Sequence, residues 1–289
     1  MKCKCCMRTS EMKDIVLIDG ICNECVEFEK IKNVLGQKDV LAMAFEKIVN
    51  NCREVGKEHD VVVGLSGGTD STYMLFMLTT KYKLRVKAIT FDNGYLSEQA
   101  RNNINNTVEI LKIEHEYIEF DENFRRETFN LSIIKTGAPC LGCSFAMYIA
   151  IHDYARTNNI PYIFHGRSRA QMFGKCLPQK DKDSLPFSEL YGDNEEYIDF
   201  VKNYYQWNII DRPYIGFYFY HDVSKKEMQD TIQKELNWKS TKIDGLEKKH
   251  FDCEYHEHAN DMFRDKNGYD IDFYEQNYYL RMENWCGKI

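Results

Sequence analysis

A glycine turn between an apolar run and a helical pattern is the feature that most constrains this chain. The run Val61–Leu65 is rich in β-branched residues and predicts a buried strand. The hexapeptide Ser66-Gly67-Gly68-Thr69-Asp70-Ser71 follows it directly, and a helix is predicted over Thr72–Tyr82. Glycines allow close approach of the backbone to an anion, and N–H groups at a helix start point toward it. We therefore expect a phosphate site here.

The side chains of this hexapeptide have separate expected roles. Ser66, Thr69 and Ser71 add hydroxyl donors to the backbone N–H groups. Asp70 repels phosphate, so we expect it to hold a Mg²⁺ ion that bridges phosphate oxygens. The segment lacks the Gly-Lys-Ser/Thr ending of a Walker A loop and the Gly-x-Gly-x-x-Gly pattern of dinucleotide-binding loops. An ordinary glycine-rich turn is the alternative, which the surrounding strand and helix disfavour.

Strand and helix patterns alternate from residue 38 to residue 175 and predict a parallel, doubly wound α/β sheet. The further strands are expected at Val86–Phe91, Glu116–Phe120 and Pro161–His165. The other helices are expected at Asp39–Val55, Ser97–Lys112, Glu122–Lys135 and Phe145–Asn158. Beyond them we predict a strand at Tyr214–Tyr220, a helix at Ser224–Leu236 and a helical tail at Asp261–Trp285.

Three regions are predicted along the chain. Residues 1–30 form a four-cysteine knuckle, residues 38–175 form the α/β domain, and residues 176–289 form a C-terminal substrate-binding extension. The segment Lys175–Pro186 contains two of the five prolines and predicts a mobile loop.

Composition limits the classes of function. The net charge of −7 lowers the expectation of a tRNA or DNA substrate without excluding it, because nucleic-acid binding uses basic surfaces. No apolar run reaches the length of a membrane span, and the first residues lack a signal-peptide pattern, so we expect a cytoplasmic protein. Eleven cysteines in a reducing compartment indicate metal binding or chemistry more than disulfides.

The first cysteine set has the spacing of a structural zinc site. Cys3 and Cys6 form one pair and Cys22 and Cys25 the other, which gives C-x2-C-x15-C-x2-C. Cys5 leaves open which cysteine of the first pair is the spare. Because a closed four-thiolate site has no open position, we expect a structural Zn²⁺.

A second cysteine set is more widely spaced. Cys140 and Cys143 form a C-x-x-C pair, and Cys253 lies far downstream. They could hold a second Zn²⁺, with His250, His256 or His258 among the ligands, or no metal at all. The remaining cysteines and histidines are interpreted as follows: Cys176 is an alternative third thiolate, His256 and His258 are more simply solvated or helix-capping, and Cys52 and Cys286 receive no role.

The Ser-Gly-Gly-x-Asp-Ser hexapeptide resembles the signature of the PP-loop ATP pyrophosphatases, a superfamily with an adenine nucleotide alpha hydrolase-like fold. The resemblance implies that ATP is split to AMP and pyrophosphate, and that a substrate oxygen is adenylated. The implied catalytic residues are Asp70, Ser66 and Arg167. The residues implied to bind ATP are Ser66, Gly67, Gly68, Thr69, Asp70, Ser71, Phe91, Asp92, Asn93 and Gly166. The residues at the strand ends could instead form simple turns.

The order of motifs also resembles the N-acetyl sugar amidotransferases of bacterial surface-polysaccharide (lipopolysaccharide) biosynthesis. The resemblance rests on the double knuckle, the hexapeptide, Thr90-Phe91-Asp92-Asn93-Gly94, Pro139-Cys140-x-x-Cys143 and His250-x-Asp252-Cys253. It implies that ATP adenylates the acetamido oxygen of an N-acetylated sugar or nucleotide-sugar. Ammonia from a separate glutaminase subunit would then displace AMP and leave an amidine.

Two alternatives compete with that function. Some tRNA thiolases of the same superfamily hold a [4Fe–4S] cluster on a C-x-x-C pair and one distant cysteine. By that resemblance, Cys140, Cys143 and Cys253 would hold the cluster, and sulfur would replace the substrate oxygen on a tRNA base or small molecule. The third possibility is a zinc-knuckle binding module without catalysis, which the intact hexapeptide disfavours.

Overall fold

The N-terminal region is a small hairpin followed by two helices. The computed structural model describes residues 1–119, 121–174, 212–243, 246–247 and 250–284. Strand β1 (Leu17–Ile18) pairs antiparallel with β2 (Ile21–Cys22). Helices α1 (Asn23–Leu35) and α2 (Lys38–Val55) then lead to the central sheet.

A parallel five-stranded sheet forms the centre of the fold. Its strands are β3 (Val61–Gly64), β4 (Val86–Asp92), β5 (Glu114–Glu119), β6 (Tyr162–His165) and β7 (Tyr214–Gly216). Their spatial order is β5-β4-β3-β6-β7, and every neighbouring pair is parallel. The chain changes direction across the sheet between β3 and β6, and ligands of such sheets bind beyond the carboxyl ends of the strands at this point.

Helices cover both faces of the sheet. They are α3 (Thr69–Thr80), α4 (Glu98–Leu111), α5 (Glu122–Thr136), α6 (Cys140–Thr157) and α7 (Arg169–Phe173). Val61 and Val63 of β3 belong to a core cluster with Phe45 of α2 and Met74 of α3. Val62 points to the other face and packs in a cluster that contains residues of α6. The predicted doubly wound α/β fold is therefore confirmed.

The C-terminal part adds short elements around this sheet. They are α8 (Phe217–Tyr220), α9 (Lys225–Leu236), β8 (Lys242–Ile243), β9 (Leu246–Glu247), α10 (His256–Asn267) and α11 (Phe273–Glu283). No helix in the described ranges is both long enough and apolar enough to cross a membrane.

Two sequence predictions were wrong in this architecture, and the predicted helical tail is more finely divided than expected. Helix α6 begins at Cys140 rather than Phe145, because Pro139 is the N-cap residue and the first turn packs on α5, where Gly142 N donates to the Ser132 Oγ. The predicted strand over Tyr214–Tyr220 is a three-residue strand followed by α8, since Gly216 ends the strand. The predicted tail is helical, and Gly268, with φ +76°, divides it by ending α10 in the left-handed conformation before α11 begins.

Other predicted helix and strand boundaries differ from the structure by no more than three residues, as far as they fall on described residues. The predicted loop over residues 175–186, Phe120, Cys176, Trp285 and Cys286 lie outside the described residues. The three-region division of the chain stays a prediction.

Candidate active site and metal-binding clusters

The phosphate loop joins the carboxyl end of β3 to the start of α3. Gly67 has φ +76°, and a Cβ added there would lie 2.4 Å from the backbone oxygen of Ala100. Gly68 is the N-cap residue of α3 and has no side chain to bond the first-turn N–H groups. The Ser66 Oγ accepts a hydrogen bond from Gly68 N at 3.3 Å and lies 3.2 Å from the Ser71 Oγ. The loop thus presents a helix N-terminus and hydroxyl groups at the switch point, an arrangement that binds anions.

Two buried side chains hold the loop from behind. Trp238 donates its Nε1–H to the backbone oxygen of Gly67 at 2.8 Å. Asn103 of α4 donates to the same oxygen at 3.1 Å. Sequence reasoning missed both residues, because their contacts with the loop depend on long-range packing and have no local motif.

Asp70 is half-buried in an acidic environment at the first turn of α3. Burial, with smaller contributions from the charges of Glu275 and Asp252 and an opposing one from Lys225, raises its pKa to about 6. Its backbone oxygen accepts a hydrogen bond from the Tyr218 hydroxyl at 2.8 Å. Several carboxylates therefore share the space in front of the loop, which favours a cation there.

The turn after β6 packs directly against the loop. A Cβ added at Gly166 would lie 3.0 Å from the Cα of Ser71, so glycine allows this close approach. Burial lowers the pKa of His165 to about 3, which keeps its imidazole neutral. The exposed Arg167 donates to the Tyr148 hydroxyl at 2.9 Å and to the Gln171 backbone oxygen at 3.0 Å. Its role in clamping phosphate stays a prediction.

The turn after β4 connects the loop region to the second cysteine set. Asp92 accepts a hydrogen bond from Gly94 N at 2.9 Å and pairs with Arg101. Asn93 donates its Nδ2–H to the Cys143 Sγ at 3.3 Å. The side chains of Asp92 and Asn93 thus stabilise this turn, and the adenosine contacts predicted for Phe91, Asp92 and Asn93 stay predictions.

A backbone pairing brings a distant segment to the same turn. Leu96 and Cys253 form an antiparallel bridge, and Ser97 N donates to the Asp252 backbone oxygen at 3.1 Å. Glu254 N donates to the Tyr95 backbone oxygen at 2.8 Å. This pairing fixes residues 252–254 beside the ends of β3 and β4.

The three cysteines of the second set lie close enough to interact electrostatically, and Asn93 joins two of them. Cys140 and Cys143 occupy the first turn of α6, and Asn93 interacts with the thiols of both Cys143 and Cys253. Burial raises the pKa of Cys140 to about 12 and that of Cys143 to about 11. Burial also raises the pKa of Cys253. All three are therefore thiols unless a metal binds and stabilises the thiolates.

The spacing of this set bears on the metal group that it could hold. Among the described residues, the sulfurs of Cys140, Cys143 and Cys253 do not all lie within 4.8 Å of one another. Thiolates on a single tetrahedral Zn²⁺, with Zn–S bonds of about 2.3 Å, lie about 3.8 Å apart. A cluster separates its thiolates further, since each binds a different iron. The three sulfurs therefore do not form a compact single-zinc site by themselves, and both the [4Fe–4S] cluster and the second Zn²⁺ with histidine ligands stay predictions.

Asp252 is a candidate functional residue to which the sequence analysis gave no role, although it lies in the His250-x-Asp252-Cys253 motif. A Cβ added at Gly68 would lie 3.5 Å from the Asp252 Oδ2, so this carboxylate faces the phosphate loop. The adjacent residue in sequence is Cys253. One segment therefore supplies a carboxylate to the ATP loop and a thiol to the second cysteine set.

The N-terminal cysteines form a compact cluster. Cys3, Cys6, Cys22 and Cys25 are buried, and their sulfurs all lie within 4.8 Å of one another. The Sγ–Sγ distances are 3.8 Å for Cys3 and Cys25 and 3.7 Å for Cys6 and Cys22. These distances match the roughly 3.8 Å of a tetrahedral Zn²⁺ site with bonds of about 2.3 Å. The cluster uses Cys6 and leaves out Cys5, which resolves the ambiguity in the first pair.

Buried charges surround this four-cysteine cluster. Glu24 accepts hydrogen bonds from Arg8 at 2.6 Å and from Arg281 of α11 at 2.5 Å. The Arg281 Nη2 lies 4.0 Å from the Cys6 Sγ. Two arginines and one glutamate carry a net positive charge, which a metal tetrathiolate would neutralise. The donor set and its surroundings therefore fit a bound metal ion.

His256, His258 and Cys52 lie in different environments in the structure. His256 lies half-buried beside His250 and Asp272, whereas His258 is exposed. Cys52 is buried in the main core cluster, and burial raises its pKa to about 12. Cys52 thus has the packing role of a small apolar residue, in keeping with the absence of an assigned role.

Comparisons with known proteins agree with the loop and the sheet. The family model for queuosine biosynthesis protein QueC matches residues 60–136, which contain β3, the hexapeptide and the elements through α5. An uncharacterised protein of Methanocaldococcus jannaschii is 27% identical over 199 aligned residues, and the match covers 66% of each chain. The glutamine-hydrolysing GMP synthase of Pyrobaculum aerophilum is 30% identical over 120 residues, 42% of this chain and 24% of that one.

Solved structures show a looser likeness. The U34-tRNA thiolase NcsA of Methanococcus maripaludis, solved with its [4Fe–4S] cluster, has a TM-score of 0.43 at 16% identity, covering 100% of this chain and 92% of that one. The NMN synthetase of Francisella tularensis has a TM-score of 0.36 at 15% identity, covering 88% and 95%. The sheet, the loop over residues 66–71 and the match over residues 60–136 together support an ATP-utilising enzyme of the PP-loop ATP pyrophosphatase type.

Proposed function

We propose that this enzyme adenylates a carbonyl oxygen of its acceptor with ATP and then replaces that oxygen with sulfur. The observation that supports this proposal is the convergence of Cys140, Cys143 and Cys253 beside the phosphate loop. Asp252 and Cys253 are adjacent, so the ATP site and the cysteine site are built from one backbone segment. Such proximity is what transfer of sulfur to a freshly formed adenylate requires.

The first half of the reaction uses the loop. The N–H groups at the start of α3 and the hydroxyls of Ser66 and Ser71 would hold the β- and γ-phosphates as departing pyrophosphate. Asp70, together with Asp252, which faces the loop at Gly68, would bind the Mg²⁺ of the nucleotide. The acceptor oxygen attacks the α-phosphorus, the bond to the β-phosphate oxygen breaks, and pyrophosphate leaves.

The second half replaces the activated oxygen. Hydrosulfide adds to the acceptor carbon, and AMP leaves with the former carbonyl oxygen, so that C=O, ATP and H₂S give C=S, AMP and pyrophosphate. When bound to three cysteines, a [4Fe–4S] cluster supplies one iron without a protein ligand, where sulfide can be held. The chain's own contribution is to fix the cysteines: Asn93 orients Cys143 and Cys253, and α6 presents Cys140.

The first cysteine set has a separate role in this proposal. A structural Zn²⁺ would be bound by Cys3, Cys6, Cys22 and Cys25. Four protein ligands fill all positions of a tetrahedral zinc ion, so no position stays open for a substrate. Arg281 connects this cluster to α11, the helix that also carries Glu275 near Asp70.

Amidation of an N-acetylated sugar shares the adenylation step and differs in the second nucleophile. Attack by ammonia from a glutaminase subunit uses no sulfur, so in that reaction the three cysteines would only hold a structural metal, whereas sulfur transfer would use their position beside the phosphate loop. We therefore favour sulfur transfer to a nucleobase, in a nucleotide or in tRNA, as the function.

The nucleophile can be tested directly. Protein reconstituted anaerobically with iron and sulfide would be mixed with ATP and a panel of nucleoside, tRNA and N-acetylated sugar acceptors, with either sulfide or ammonium as the donor. We expect AMP and a thiolated product with sulfide, and loss of the product but not of pyrophosphate exchange in Cys143→Ser. Cys52→Ser is the matched control. An amidine formed from ammonium by both variants would overturn the proposal.

A further inference from the structure

Two histidines and one aspartate form a cluster that the proposed reaction does not use. His250 precedes the segment paired with residues 95–97, His256 begins α10, and Asp272 precedes α11. Their ligand atoms all lie within 4.8 Å of one another, and each residue is half-buried. The His250 Nε2 lies 3.3 Å from the Asp272 Oδ1, and the two imidazole rings lie 4.2 Å apart.

We propose that His250, His256 and Asp272 bind a divalent transition-metal ion of the Zn²⁺ or Fe²⁺ type, as a third metal site beside the ATP loop. Two imidazoles and one carboxylate are a donor set that such ions prefer. Three protein ligands leave at least one coordination position open to water or a small anion, in contrast to the closed four-cysteine cluster.

The surroundings of the cluster favour a cation. Asp252 and Glu275 both act electrostatically on His250, in addition to Asp272. Three carboxylates around two imidazoles give a negative local potential, which lowers the free energy of a bound divalent ion. The site is also close to the phosphate loop, because Asp252 faces Gly68 and lies two residues after His250.

The architecture favours a site assembled by folding. Each ligand belongs to a different element, so a bound ion would link the paired segment, α10 and α11. An ion that binds only the folded arrangement stabilises it by mass action. The alternative is a simple hydrogen-bonded pair between His250 and Asp272 that needs no ion.

Cobalt(II) distinguishes this site from the cysteine sites. Thiolate ligands give intense near-ultraviolet charge-transfer bands with Co²⁺, whereas nitrogen and oxygen ligands give only weak visible bands. The full-length protein, with Zn²⁺ in the four-cysteine cluster, would be titrated anaerobically with Co²⁺, and bound metal would be quantified. His258→Ala is the matched control, since His258 is exposed and lies in the first turn of α10 with His256.

The expected result is one bound Co²⁺ per chain without charge-transfer bands in the wild type and in His258→Ala. In His256→Ala and Asp272→Asn the affinity should fall by more than about tenfold. Retained zinc and an unchanged urea midpoint would show that these variants fold. Equal Co²⁺ affinity in His256→Ala and wild type, or no Co²⁺ uptake by the folded wild type beyond its cysteine sites, would overturn the proposal.

Discussion

Neighbouring glycines of the phosphate loop should respond differently to the same added methyl group. Gly67 has φ +76°, and its added Cβ would lie 2.4 Å from the Ala100 backbone oxygen. Gly68 has φ −75°, and its added Cβ would lie 3.3 Å from the Ser66 Oγ. Gly67→Ala is strained and must displace the backbone near Ala100, whereas Gly68→Ala keeps a φ angle that alanine adopts readily.

The cost of Gly67→Ala can be worked from its contacts. The left-handed conformation costs about 1 kcal/mol for alanine. Moving the loop away from Ala100 also weakens the hydrogen bonds that Trp238 and Asn103 donate to the Gly67 oxygen, each worth about 1 kcal/mol. We expect the free energy of unfolding to fall by about 2–4 kcal/mol.

Gly68→Ala should separate stability from binding. Alanine is a poorer N-cap residue than glycine, so the free energy of unfolding should fall by less than about 1 kcal/mol. The methyl group would stand between the Ser66 hydroxyl and the Asp252 carboxylate, where the phosphates approach. We expect the dissociation constant for ATP to rise at least about tenfold, which corresponds to roughly 1.4 kcal/mol.

Urea denaturation and calorimetric ATP titration of both variants test this reasoning. The urea midpoint should drop clearly for Gly67→Ala and little for Gly68→Ala. If the slope of the transition stays unchanged, the shift in midpoint reports the change in the free energy of unfolding. A Gly67→Ala variant as stable as the wild type would refute the packing argument. Wild-type ATP affinity in Gly68→Ala would refute the position assigned to the phosphates.

Further predictions concern the carboxylates and the buried arginine. Asp70→Asn should abolish AMP formation while the protein stays folded, as measured by product chromatography and circular dichroism. Because the pKa of Asp70 is raised from 3.8 to about 6 in the folded state, the wild type should lose stability as the pH rises from 3.8 to about 6, and the urea midpoint of Asp70→Asn should lack this decrease over the same pH range. Asp252→Asn should lower the rate of AMP formation without changing the iron content of anaerobically reconstituted protein; an unchanged rate would remove Asp252 from the ATP site. Arg281→Met should cost about 2–4 kcal/mol of stability and speed zinc loss to a chelator, whereas Arg264→Ala, at an exposed position, should do neither.

The sequence predicted the sheet and the phosphate loop well, because both depend on local signals. A β-branched run before two glycines and an apolar helix specify a strand, a turn and a helix without help from distant residues. Spacing alone also identified the four-cysteine cluster, since paired cysteines at these intervals have few other uses.

The parts that the sequence did not predict depend on long-range contacts. The pairing of residues 95–97 with residues 252–254 joins segments far apart in the chain and uses backbone atoms, so no residue pattern marks it. The contact of Asp252 with Gly68 follows from this pairing. The break between α10 and α11 at Gly268 did have a local signal, a glycine at the end of a helical pattern, and the prediction of a helical tail did not use it.

Iron and sulfide content tests the central claim of a cluster beside the ATP loop most directly. Anaerobically reconstituted wild type and Cys52→Ser should contain about four irons and four sulfides per chain, and Cys143→Ser and Cys253→Ser should lose both while keeping zinc. Wild-type protein that takes up only zinc, or a Cys143→Ser variant that retains its full iron content, would contradict the account.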